Sequence, residues 1–148
     1  MDNLVVGYDH HPASHAALLF AVDLSRRLGA HVHVVHIVDL GDEPLNLDSA
    51  ERQREVDRRL HAHQEAVQQV FNRPDDRWTF HALEGPAVKV LTSIGETHRA
   101  TMIIIGQPER GLSAMLEHLI TGGAVSRGLL HHAARPVVVV PELMDSRK

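Results

Sequence analysis

Two groups of residues in this chain are of types and spacings that could do chemistry. The first is a set of glycines: Gly106-Gln-Pro-Glu-Arg-Gly111 follows the apolar run Thr101-Met-Ile-Ile-Ile105, and Gly122-Gly123-Ala124-Val125 opens a further helical stretch. A glycine without a Cβ lets backbone amides come close to an anion, and a helix N-terminus behind it adds the positive end of a dipole. A loop of this kind at the end of a strand is the outline of a phosphate cradle. The second group is histidine, of which the chain holds 13. His11 and His15 form an i, i+4 pair beside Asp9, and His31-x-His33 and His61-x-His63 are local pairs. Zinc needs three or four converging ligands. Asp9, His11 and His15 make the best candidate by spacing, whereas residues two apart on a helix, such as His61 and His63, point apart. Spacing alone assigns no metal site, and ordinary polar roles are expected for most of these side chains.

Enzyme signatures are missing. Gly111-Leu-Ser-Ala-Met115 lacks the second glycine of a hydrolase elbow, and neither a P-loop lysine motif nor His-Glu-x-x-His occurs. No catalytic residue is assigned. With no cysteine, disulfides, thiolate chemistry and Cys-based metal sites are excluded. A formal net charge of −4 without a dense basic stripe argues against nucleic acid as a partner. No run approaches the roughly 18 apolar residues of a membrane span, and Met-Asp-Asn-Leu-Val-Val has no basic segment ahead of an apolar core, so a cytoplasmic protein is expected.

The elements that must position these residues alternate in type. Leu4-Val-Val-Gly-Tyr8 is a short buried strand ending at Asp9. Pro12 suits a first helical turn; Ala13, Ala17, Phe20, Ala21, Leu24 and Leu28 then repeat at helical spacing until Gly29 caps the helix. His31–Val38 is a second strand, with His31 and His33 on the face opposite Val32 and Val34. From Asp48 to Phe71, the stripe Val56, Leu60, Val67, Val70 and Phe71 predicts a long amphipathic helix with a charged, solvated outer face. Trp78–Leu83 is a third strand, Glu84-Gly-Pro86 turns into a helix carrying Val90, Leu91 and Ile94, and Met102–Ile105 is a fourth strand. A last helix from about Ala124 to His132 and a strand Pro136–Val140 complete the chain, read as one domain over residues 1–148. Alternating strands and helices imply an α/β, three-layer, doubly wound domain with a parallel sheet. Ligands in such sheets sit beyond the C-terminal strand ends, so Asp9, Val38 and Gly106 onward should share one rim.

Taken in order, these pieces resemble the universal stress protein family. The resemblance is carried by Val6-Gly-Tyr-Asp-His-His-Pro-Ala-Ser14, His33-Val-Val-His-Ile-Val38, Met102-Ile-Ile-Ile-Gly106 and Val125-Ser-Arg-Gly-Leu-Leu-His-His-Ala-Ala-Arg-Pro-Val-Val-Val-Val140, and spans nearly the whole chain. It implies five parallel strands in the order 3-2-1-4-5 and a homodimer formed through the last strand, Val137, Val138, Val139 and Val140. An apolar edge strand with unpaired amides invites such a partner.

The nucleotide-binding branch of that family carries G-x2-G-x9-G-[ST] after strand four, which implies ATP or AMP, with Mg2+ accompanying the nucleotide. Here Gly106 fits the first position and Gly123 the third, while Glu109 replaces the middle glycine and Ala124 the hydroxyl residue. Gly106 and Gly123 stand 17 positions apart where the pattern has 13, an excess of four. A carboxylate facing phosphate costs on the order of 1 kcal/mol or more, against about 0.5–1.5 kcal/mol for a lost hydroxyl contact. Re-threading through Gly111 or Gly122, with Arg110 turned toward the phosphate, would offset the acid; Arg127 is a second cation. Leu112, Met115, Leu116, Leu119 and Ile120 predict a short helix within the longer loop. Asp9 matches the family's acid near the ribose and Val38 the residue whose backbone meets the base; His10 and His11 stand where Gly-Ser is frequent. The nucleotide site expected from the resemblance thus comprises Asp9, Val38, Gly106, Arg110, Gly111, Gly122, Gly123, Ala124 and Val125. The favoured function is a dimeric, non-enzymatic stress-response or regulatory module with a degenerate or repurposed pocket; slow ATP hydrolysis is the one activity to consider, and no base for it is identifiable. The alternatives are an ATP- or AMP-binding protein using a re-threaded loop and a histidine-based metal module.

Overall fold

The β-branched runs build the middle of the molecule. In a computed structural model of the chain, which describes residues 1–9, 11–38, 48–107 and 134–142, the strands are β1 (Asn3–Gly7), β2 (His31–Val38), β3 (Arg77–Glu84), β4 (Met102–Gly106) and β5 (Val137–Val140). They form one parallel sheet, as the alternation predicts, in the order β3-β2-β1-β4-β5 that the resemblance implies. Three helices are described: α1 (Pro12–Leu28), α2 (Ser49–Val70) and α3 (Ala87–Thr97). The expected last helix and the helix within the long loop lie outside the described residues.

Strand side chains alternate between two apolar layers. Leu4, Val6, Val32, Val34 and Ile104 pack with Ala17, Leu18 and Ala21 of α1 and Val67 of α2. Val5, Val35, Ile103 and Ile105 pack on the other face with Leu91 of α3. Each fully buried aliphatic side chain contributes about 1.5–3 kcal/mol, so the three central strands, apolar on both faces, carry most of the packing. α1 and α2 step the chain outward from β1 to β3 on one face, and α3 returns it past β1 on the other. The direction of winding therefore reverses between β1 and β4.

Local chemistry fixes the helix ends. Asp48 and Glu51 form a reciprocal capping box at the start of α2, with the Glu51 amide donating to Asp48 Oδ1 at 2.7 Å. Gly29 ends α1 at φ 65°, and the Ala30 amide reaches back to the Ser25 carbonyl at 2.9 Å. α3 ends in the same way with a non-glycine: Arg99 has φ 50°, its amide donates to Glu96 O at 3.3 Å, and the Ala100 amide donates to Gly95 O at 2.8 Å. Near the end of α1, Arg26 holds Asp76 through Nε–H to Oδ1 at 3.0 Å and an Nη2 hydrogen to Oδ2 at 2.8 Å. That guanidinium hydrogen bond keeps the buried Asp76 carboxyl below its ordinary range.

Two expectations from periodicity change. Leu28 is 45% exposed, because it occupies the last turn of α1 just before His31 pairs with Asn3, the first residue of β1, at the margin of the sheet. In α2 the apolar stripe is buried only toward its C-terminal end, at Val67 and the following Phe71, whereas Val56, Leu60 and Val70 are half-buried. Only the end of this helix approaches the Trp78 side of the core, where the Phe71 and Trp78 rings stack with centroids 5.0 Å apart.

Candidate functional site

The C-terminal rim is built where β2, β1 and β4 end side by side. Val38 closes β2 opposite Glu84 of β3, Gly7 pairs with Val35, and Gly106 closes β4 opposite Val140. Asp9 follows β1 after Tyr8. The structure thus brings Asp9, Val38 and Gly106 to one edge, as a parallel sheet demands. The remaining residues of the expected nucleotide site, Arg110, Gly111, Gly122, Gly123, Ala124 and Val125, lie outside the described residues, as do His10, Glu109 and Arg127.

Two of the rim groups already serve the protein itself. One Asp9 carboxylate oxygen accepts the His11 amide at 2.8 Å and stands 3.0 Å from His11 Nδ1, folding the turn that launches α1. A Cβ placed on Gly106 would lie 2.3 Å from the Ala13 carbonyl oxygen and 2.8 Å from the Ser14 nitrogen. The close approach that needs glycine here is therefore between β4 and the first turn of α1. The reading of Gly106 as a phosphate glycine is thus supplemented by a packing requirement that holds with or without a ligand.

Beneath this rim, on the α1–α2 face, His36 Nδ1 stands 3.0 Å from the Tyr8 carbonyl oxygen, and His63 of α2 packs against His36 and Tyr8 with ring centroids 4.4 and 5.9 Å away. His61 points elsewhere and meets Glu65 at 3.0 Å, as two-apart spacing on a helix predicts. Burial raises the Tyr8 pKa, and the neighbouring Asp9 charge adds to the shift.

A second set of side chains gathers toward the opposite end of the sheet, on the α3 face. His33 of β2, His81 of β3 and His98, the residue that caps α3, place one ring nitrogen each within 4.8 Å of one another. Among the described residues this is the only group of three potential metal ligands; Asp9, His11 and His15 do not form one. His33 Nδ1 and His81 Nε2 are 3.0 Å apart, His33 Nε2 is 3.2 Å from Asn3 Oδ1, and the His98 ring stacks on His33 at 3.9 Å. His31 extends the row, its Nε2 2.7 Å from Thr79 Oγ1. Burial first, then the charges of His98, His31 and His81, push His33 down to about 4. Burial likewise lowers His81 and His31, followed by the His98 charge in each case. His33, His81 and His31 are thereby held toward the neutral form, and neutral imidazole is the form that binds metals.

His81 and His98 belong to none of the pairs that sequence spacing brings out. The available signal was parity: once β2 and β3 are parallel with Val35 opposite His81, His33 and His81 fall on one face as diagonal neighbours. His98 joins only through the way α3 packs back on that face.

Comparison with known proteins agrees with this architecture. The model of the Universal stress protein family matches residues 1–141, and the chain belongs to that family. Among solved structures, it is similar to the universal stress protein UspA from Lactobacillus plantarum, with 18% identity, coverage of 94% of this chain and 97% of that one, and a TM-score of 0.71. It is also similar to a universal stress protein from Archaeoglobus fulgidus in complex with dAMP, at 20% identity, 95% and 98% coverage and a TM-score of 0.61. A third is a universal stress protein in complex with cAMP, at 16% identity, 95% and 97% coverage and a TM-score of 0.65. No curated protein matches the chain. Among the described residues no helix is long and apolar enough to cross a membrane.

Proposed function

We propose that this universal stress protein is a non-enzymatic, cytoplasmic stress-response or regulatory module whose adenine-nucleotide pocket is degenerate, and that it works as a homodimer through β5. The observation that carries the pocket reading is Gly106. Its lack of a side chain is required by the Ala13–Ser14 backbone, so its retention is explained without a phosphate. The positions that would serve a phosphate alone depart from the pattern: Glu109 brings a like charge, Ala124 lacks a hydroxyl, and the loop is four residues longer. Dimerisation is supported by β5, which hydrogen-bonds to β4 and carries Val139 at 40% exposure.

The test is titration calorimetry of the purified chain with ATP and with AMP, each with and without Mg2+. No binding in the micromolar range is expected for the wild type, and Glu109→Gly should create or strengthen it by roughly tenfold, about 1.4 kcal/mol. Micromolar ATP or AMP binding by the wild type would overturn the degenerate pocket and favour a loop re-threaded through Gly111 and Gly122 with Arg110 on the phosphates. The complexes with dAMP and cAMP among similar structures make adenine nucleotides the natural class of probe.

A further inference from the structure

We infer that His33, His81 and His98 form a binding site for one divalent transition-metal ion that favours imidazole, with Asn3 as the residue that orients it. The site lies on the α3 face toward the N-terminal end of the sheet, away from the rim where Asp9, Val38 and Gly106 meet.

The geometry is that of a zinc site short of one small movement. At Zn–N distances of roughly 2.0–2.1 Å, two nitrogens of a tetrahedral centre stand about 3.3 Å apart. His33 Nδ1 and His81 Nε2 are 3.0 Å apart, held by the parallel register of β2 and β3. His98 has its nitrogen within 4.8 Å of both, so it closes the set by moving in by at most about 1.5 Å, a distance that rotation of a half-buried side chain provides.

Proton placement supports the same assignment. Asn3 Oδ1 can only accept, so the 3.2 Å contact makes His33 Nε2 the donor. A neutral His33 then carries its lone pair on Nδ1, the nitrogen that faces His81. Metal-bound histidines commonly give their second N–H to an oxygen acceptor in this way, which fixes tautomer and ring orientation. Without a metal, His81 Nε2–H donates to His33 Nδ1; on metal binding His81 takes its neutral Nδ1–H tautomer by proton exchange with water, and the metal sits between the same two nitrogens.

The donor set selects the ion class. Three imidazole nitrogens without a carboxylate disfavour Mg2+ and Ca2+, which want oxygen, and suit Zn2+, Co2+, Ni2+ or Cu2+. His33 is 4% exposed, while His81 and His98 are half-buried. One side of the centre is closed and the other open, so water can supply the fourth ligand. An ion here would tie the edge strand β3 and the end of α3 to β2.

The experiment uses the full chain without a polyhistidine tag, stripped with a chelator and titrated with Zn2+ against a chromophoric competitor. One ion per chain is expected, together with a rise in Tm that grows with zinc concentration. His98→Ala and His81→Gln should each weaken binding by at least tenfold while leaving the circular dichroism spectrum of the metal-free chain unchanged. Asn3→Ala should weaken it by about tenfold as a positioning residue. His11→Ala/His15→Ala should leave it unchanged. Co2+ loading adds a direct readout, since a four-coordinate centre gives intense visible bands and a six-coordinate surface ion does not. Zinc binding that persists unaltered in His98→Ala and His81→Gln, or no stoichiometric binding by the wild type, overturns the assignment.

Discussion

The two ends of the sheet use polar and small residues in opposite ways. At the C-terminal rim the conspicuous groups are already engaged by the protein: Gly106 admits the first turn of α1, and Asp9 folds the turn ahead of it. Toward the N-terminal end, the histidines of β2, β3 and α3 are engaged chiefly with each other, through a hydrogen bond between His33 and His81 and ring stacking of His98 on His33. A glycine reports that something comes close without saying what. A histidine cluster reports directly on ligand chemistry, because nitrogens that could share protons can equally share a metal. The more familiar pattern in the chain is therefore the less specific one.

Gly106→Ala should have the largest effect at the C-terminal rim. Its Cβ would meet backbone, which cannot swing aside as a side-chain tip can, so β4 or α1 must shift. A loss on the order of 3 kcal/mol or more in unfolding free energy is expected, at the upper end for overpacking. Urea denaturation followed by circular dichroism measures it in the absence of any nucleotide. A loss below about 1 kcal/mol would show that α1 adapts easily, and Gly106 would return to being a residue retained for a ligand.

How much could be read without the structure follows from the same contrast. The parallel sheet and the gathering of Asp9, Val38 and Gly106 at one rim were legible because β-branched runs alternating with amphipathic helices admit few parallel topologies, while the strand order followed from the family resemblance. The packing duty of Gly106 was not, since it depends on where the Ala13 backbone lands. The histidine group was half legible. Alternation in His31-Val-His-Val34 put His33 on the face opposite the valines, but pairing it with His81 needed the register of β2 and β3, and reaching His98 needed the packing of α3. The N-terminal half of α2 shows the reverse error, in which a periodic stripe through Val56 and Leu60 reads as core yet is only half-buried.

The next test bears on the N-terminal side. His33 has its pKa lowered to about 4 from an ordinary 6.5, so the unfolded chain takes up the proton first on acidification. The sign follows: the stability tied to neutral His33 is fully present above pH 6.5 and is lost as the pH falls from there toward 4. One such group changes the unfolding free energy by at most about 1.4 kcal/mol per pH unit. His81 and His31, shifted the same way, add to the slope. Urea midpoints of chelator-treated protein at pH 7.5 and 5.0 should therefore fall with acid, and fall less in His33→Gln. Equal acid sensitivity in the two proteins would mean that His33 does not stay neutral in the fold and that the slope comes from other histidines, because carboxylates such as Asp76 titrate below this window.

The smallest effect concerns how His98 is held. α1 and α3 both end with a residue in the left-handed region followed by an amide reaching back five residues, yet α1 uses Gly29 and α3 uses Arg99. For a residue with a Cβ that conformation costs roughly 1–2 kcal/mol. Glycine removes this cost but gives the unfolded chain more freedom. Arg99→Gly should thus stabilise the metal-free protein by a net ~0.5–1 kcal/mol, measurable as a shift in urea midpoint at constant slope. Because the turn itself is kept, His98 should stay on the His33 ring and zinc stoichiometry should not change. A variant that gains stability but loses zinc would show instead that the strained Arg99 backbone, and not the helix cap as such, aims His98 at the other two histidines.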